Sequence, residues 1–259
     1  MRNYIKSEFY RLFHSKMIYL FTFVLSLSGL LINILLCMMG SDSHFQYNTL
    51  SFSLSNLVAN PMLFLFMAIL FTMLCYEGEQ KLGTLKNPLA YGISFMKIFF
   101  GKTIVVTTGA TLSMLTILSV YIGSALVLLK HSGPVSLMDI IIEVPAVFLL
   151  AVAAILSTIF FSSFFEKTSI VFICLLLFWG LIPSFLLNIG LGFRWKVLIG
   201  FANWLPQNFF STEAIVNAQN SQTLWGTGAG FTKCMIAGIF WSVCFILLAF
   251  SYLREKDIG

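Results

Sequence analysis

A chain of 259 residues that is 59% hydrophobic, 10% charged and contains 28 Phe lacks the polar surface of a soluble domain, in which about 25% of residues are charged. Its mean hydropathy of +0.94 excludes one large water-soluble globule and makes lipid the solvent for most of the chain. The net charge of +5 reads as a one-sided distribution of Lys and Arg facing anionic headgroups, with no nucleic-acid partner implied.

The first element is residues 1–16, where Ile5, Phe9, Leu12 and Phe13 recur at helical spacing while Lys6, Glu8, Arg11 and His14 lie off that line. This predicts an interfacial amphipathic helix, apolar side down. Six apolar runs follow, at Met17–Met39, Leu57–Tyr76, Thr103–Leu129, Ile140–Phe165, Thr168–Ile189 and Phe231–Leu253. Each is long enough to cross a hydrocarbon core, which takes roughly 20 residues. Backbone in lipid must satisfy its own hydrogen bonds, so the runs read as helices. The first is too long for a signal-peptide core and has no cleavage pattern after it. The expected fold is an all-α integral membrane protein, one transmembrane domain over 1–259 with six spans.

Lys and Arg set the orientation. With the N-terminus inside, Arg2, Lys6, Arg11, Lys16, Lys81, Lys86, Lys97, Lys102, Lys167, Arg254 and Lys256 are cytoplasmic, leaving Lys130, Arg194, Lys196 and Lys233 outside. Both termini are then cytoplasmic, in a multi-pass plasma-membrane protein. Among the connections, Gly40–Asn56 reads as an ordinary exposed polar loop. Residues 190–230 mix Trp195, Trp204, Phe209 and Phe210 with polar residues, which predicts short helices or a re-entrant piece at the outer interface, broken at Pro206. "GTGAG" at Gly226–Gly230 lacks the residues of a phosphate-binding loop and reads as a flexible joint into the last span. Gly109 with Ser113 and Ser119 with Gly123 are small-residue pairs suited to close helix contact. Cys37, Cys75, Cys174, Cys234 and Cys244 read as packing residues, with a Cys37–Cys234 bridge as the alternative.

The connection between the second and third spans is unusual. "EGEQKLGTLKNPLAYGISFMKIFFGK", residues 77–102, gathers Glu77, Glu79, Lys81, Lys86, Lys97 and Lys102. Leu82, Leu85 and Leu89 fall at helical spacing, with Lys81, Thr84, Lys86 and Asn87 off that line, which predicts a short amphipathic helix limited by Pro88 and Gly92. A plain connection would need only about 4–6 residues.

This stretch resembles the segment after the second span in permease subunits of type 2 ABC exporters, where an acidic residue, Gly-Thr-Leu-Lys, Tyr-Gly-Ile-Ser and a basic residue recur. "YIKSEFYRLFHSK" is similar to their amphipathic elbow helix, and "LPQNFF" stands where they carry a Leu-Pro motif. Pro88 and Phe95 depart from the pattern, replacing an apolar helix former and a basic residue. Size and motifs favour the branch exporting bacitracin, lantibiotics and other amphipathic peptides. The resemblance implies an ATPase-coupling segment made by Glu77, Glu79, Lys81, Leu82, Gly83, Thr84, Leu85, Lys86, Asn87 and Leu89. It also implies a separate ATPase subunit carrying ATP and Mg, and a second permease copy or paralogue.

The chain has no G-x-x-x-x-G-K-[ST], so it binds no ATP in the P-loop way, and no cofactor or catalytic residue is expected on it. An intramembrane enzyme would need paired acids, a Ser–His pair or metal-spaced His within the spans, whereas His14, His44 and His131 fall outside them. Polar residues in the spans are the place to seek a substrate path, which selects Asn33, Asn60 and Glu143. The Asn residues also suit helix packing, and Glu143 also suits an acid at a helix N-terminus. A path lined by Phe, Met and Leu suits a peptide or lipid-like cargo. A non-transporting sensor or substrate-binding subunit is the alternative.

Overall fold

The computed structural model describes residues 2–40, 47–82, 92–165, 167–213, 215–216 and 221–258; the side chains of 77–82, 212–213, 215–216 and 253–258 are outside the description. In chain order the helices are α1 (Arg2–Phe13), α2 (Lys16–Met39), α3 (Leu50–Val58), α4 (Met62–Leu82), α5 (Phe95–Leu128), α6 (Leu137–Phe164), α7 (Thr168–Gly192), α8 (Lys196–Ala202), α9 (Pro206–Glu213) and α10 (Gly228–Ile258). A two-residue hairpin pairs Ile215–Val216 with Ser221–Gln222. Five helices are long and apolar enough to cross a membrane, and the bent pair α3 and α4 makes up to six.

The core is built around α6, where 56% of the most apolar stretch is buried, against 11% for α2 at the periphery. α10 packs along α6, α4 along its other side, and α2 along α5. Small residues bring the first pair together: a Cβ on Gly238 would meet Leu149 Cβ at 2.6 Å. α6 starts with a capping box between Ser136 and Asp139, the first-turn acid, and Trp225 Nε1 donates to the Asp139 carbonyl over 2.9 Å. α7 contains a π turn at Leu177–Leu181 that turns Trp179 inward, where its Nε1 donates to Ser157 Oγ at 3.0 Å.

Several expectations change. The segment before the second span is not a plain exposed loop, because Thr49 caps α3 through Phe52 N and Leu54 and Val58 are fully buried. α3 meets α4 at 66° across Asn60 and Pro61, so a bent pair replaces the straight span from Leu57. The helix that carries the third apolar run starts at Phe95, ahead of Thr103, and takes Lys97 and Lys102 into its first turns. Gly230 is no flexible joint: it lies inside α10 with its Cβ direction 2.0 Å from the Leu224 carbonyl oxygen, a close approach that only glycine permits. Of the small-residue pairs, Gly109 is tightly packed, whereas a Cβ on Gly123 would meet nothing within 4 Å. All five cysteines are free. Residues 190–230 do form short helices, with Pro206 in the first position of α9, where its missing N–H costs no helical bond.

Candidate functional site

Three segments meet at one end of the bundle: α1, the last turns of α4 and the first turns of α5. The row Tyr4, Glu8, Leu12 on α1 runs in the same direction as the row Gly101, Val105, Gly109 on α5. A Cβ on Gly101 would lie 2.8 Å from Tyr4 Cε1, and one on Gly109 would lie 2.7 Å from Leu12 Cδ1. Two side-chain-free positions eight residues apart therefore receive two large side chains eight residues apart. Glu8, expected on the polar face, is buried along with Tyr4 and Leu12. The reason is local pairing: Arg11 holds its carboxylate at 2.5 Å, and the Tyr4 hydroxyl lies beside it. Burial pushes the Glu8 carboxyl above the usual carboxylate range, opposed by the Arg11 guanidinium and by Tyr4.

α4 and α5 are joined by a second buried contact. Lys102, 2% exposed, places Nζ 4.3 Å from the centre of the Tyr76 ring, and Tyr76 is itself buried. A desolvated cation–π pair of this kind contributes about 2 kcal/mol. Together the contacts tie α1 to α5 and α5 to α4 where the chain enters and leaves the charged connection. These contacts form a joint, and among the described residues no group of three or more His, Cys, Asp or Glu could hold a metal.

The sequence-selected residues fall in separate places. Glu77, Glu79, Lys81 and Leu82 lie on the last turns of α4. Gly83, Thr84, Leu85, Lys86, Asn87 and Leu89 lie outside the described residues. Asn33 is fully buried where α2, α3 and α5 meet: its Nδ2 donates to Tyr121 O and Ser124 Oγ at 2.9 and 2.8 Å, and Ser53 Oγ donates to its Oδ1 at 2.7 Å. Asn60 is exposed at the bend between α3 and α4, donating to Asn56 O. Glu143 is in the second turn of α6, fully buried, and neither carboxylate oxygen has a hydrogen-bond donor among the described residues. Asn33, Asn60 and Glu143 share no hydrogen bond among the described residues, and none of them lines the apolar cavity between α5 and α6.

Sequence reasoning missed Tyr4, Tyr76 and Asn208. The glycines at 101 and 109 were the available signal for the first. Asn208, buried in "LPQNFF", donates to Pro183 O and Ala202 O, both at 2.8 Å, and so fastens α9 to α7 and α8.

The family model for ABC-2 family transporter proteins matches residues 4–183. That span takes in α1 through about the first two thirds of α7, including the joint and the charged connection. Comparison with curated proteins and with solved structures gives no match.

Proposed function

We propose that this chain, which belongs to the ABC-2 transporter family and is the membrane permease subunit of an ABC transporter, exports its cargo by taking up motion from an ATPase docked on residues 77–102. Family membership implies an ATP-binding partner subunit. In this reading both termini and the charged connection are cytoplasmic, α1 is the interfacial elbow, and residues 190–230 sit at the outer interface. A second copy or a paralogue completes the path. The cargo is amphipathic or hydrophobic, of the antimicrobial, toxin or bacteriocin peptide type. ATP and Mg belong to the partner subunit.

The observation that carries the reading is the length of α5. At 34 residues it is about 51 Å long, against a hydrocarbon core of about 30 Å. α4 likewise continues as helix through Glu77 to Leu82. Both arms of the charged connection are therefore stiff, and the Lys102–Tyr76 and Gly101–Tyr4 contacts bind them to each other and to α1. A stiff, braced pair of helices carries a push at its tip into the bundle, as a floppy loop would not.

Reconstitution with the ATPase tests this. Leu85→Asp, and separately deletion of residues 83–87, should leave the chain inserted and lower cargo-stimulated ATP hydrolysis and transport by about tenfold or more. Unchanged transport in both variants would overturn the coupling role.

A further inference from the structure

α5 and α6 follow each other in the chain, yet they touch along little of their length. Between them runs a slot with Thr107, Met114 and Leu118 on one wall, Val147 and Ala151 on the other, and Phe71 of α4 at the back. From Thr107 to Leu118 the slot extends roughly 16 Å along the helix axis. Its mouth lies beside Leu115 and Phe148, which are 54% and 40% exposed on the apolar flank of the bundle. No charged residue lines it among the described residues.

Shape and surroundings select the occupant. The slot has about 80 Å³ of free space. A dry apolar cavity that accepts a benzene ring is about 150 Å³, so a linear chain of methylenes suits this smaller space better than a ring. Its walls offer dispersion contacts that an empty slot would forgo. Thr107 Oγ1 is buried without a hydrogen-bond partner among the described residues, although Thr103, Thr108, Thr111 and Thr116 on the same helix each donate to the carbonyl four residues back. It leaves one donor at one end of an otherwise hydrocarbon-lined channel, suited to an ester carbonyl. The flank that carries the mouth is apolar on both sides, with Leu112 and Ile141 exposed, so in a bilayer it opens onto acyl chains.

We propose that the slot between α5 and α6 binds one acyl chain of a bilayer phospholipid, held as a resident lipid in the splayed helix pair. This requires only that the chain lies in a membrane and is independent of where the ATPase docks.

The test uses the full-length protein in phosphatidylcholine nanodiscs in which a small share of the lipid carries a diazirine on one acyl chain. After photolysis and peptide mapping, adducts on residues 114–118 and 147–151 should exceed those on the exposed face of α2 by roughly fivefold. Ala151→Phe, and the milder Ala151→Leu, should remove that excess and leave the α2 adducts unchanged, which shows that each variant is still inserted. Three results would overturn the proposal: no excess over α2 in the natural sequence, an excess indifferent to both substitutions, or its displacement by added amphipathic peptide. Efficient disulfide dimerisation of Leu115→Cys with loss of the lipid adducts would assign the mouth to a second copy and overturn it as well.

Discussion

Replacing Gly109 by Leu is expected to destabilise the protein by roughly 3 kcal/mol or more, by prising α1 away from α5. The position is filled from two sides: its Cβ direction points 2.7 Å from Leu12 Cδ1 and 3.1 Å from Phe71 Cζ, and both neighbours are buried. Both contacts are the tips of buried side chains, so Leu12 and Phe71 have to repack before a leucine fits. Gly123→Leu, on the same helix, is the control. Its Cβ meets nothing within 4 Å, so the substitution should be neutral or stabilise by up to about 1 kcal/mol through helix propensity. Leu12→Ala should recover part of the loss caused by Gly109→Leu, because the pair is in contact and therefore non-additive. Thermal unfolding of the purified variants in one detergent measures all three. Equal stability of the two leucine variants would contradict the packing of α1 described here.

Asn33→Leu is expected to cost roughly 2 to 3 kcal/mol, since three hydrogen bonds are lost and each is worth about 0.6 to 1.7 kcal/mol inside a membrane. The loss should be felt at α3. Ser53, whose hydroxyl donates to Asn33 Oδ1, also accepts the Tyr121 hydroxyl on its carbonyl at 2.7 Å, so Asn33 is one of the ties that hold the bent helix pair to α2 and α5. Asn33→Asp should be no better. It keeps the acceptor but turns an oxygen toward the Tyr121 carbonyl and buries a carboxylate. Unfolding midpoints, with hydrogen exchange of residues 50–58 as the local readout, decide it. Exchange of α3 indistinguishable from that of the natural sequence would show that the network does not hold the bend.

Long apolar runs made the spans legible, because twenty residues in lipid leave a helix as the only local solution. The positions where the reading departs are those where a polar residue does a structural job. Ser51 and Ser53 gave the segment before α4 the composition of a loop, yet Ser51 accepts the Val135 N–H and Ser53 reaches Asn33, so both hydroxyls are buried. Lys102 looked like a loop charge, and Tyr76 supplies the surface that lets it stay inside a helix. Glu8 was assigned outward because periodicity cannot anticipate a carboxylate buried beside Tyr4 and held from the solvent side by Arg11. The π turn of α7 follows from the placement of Trp179 against Ser157, a contact 22 residues apart that local pattern does not carry. The type 2 ABC permease resemblance was readable from the residues of the charged connection and the N-terminal helix, and the family match over residues 4–183 agrees with it at the level of the ABC-2 family.

The central claim, that an ATPase works this permease through residues 77–102 on the cytoplasmic side, is tested most directly at Lys86. With Lys86→Cys in an otherwise cysteine-free chain co-expressed with its ATPase, a membrane-impermeant maleimide should fail to label intact cells and should label inverted vesicles. A short bifunctional reagent should join that thiol to the ATPase. Labelling from the outside of intact cells, or a thiol that reacts inside yet never reaches the ATPase, would contradict the account.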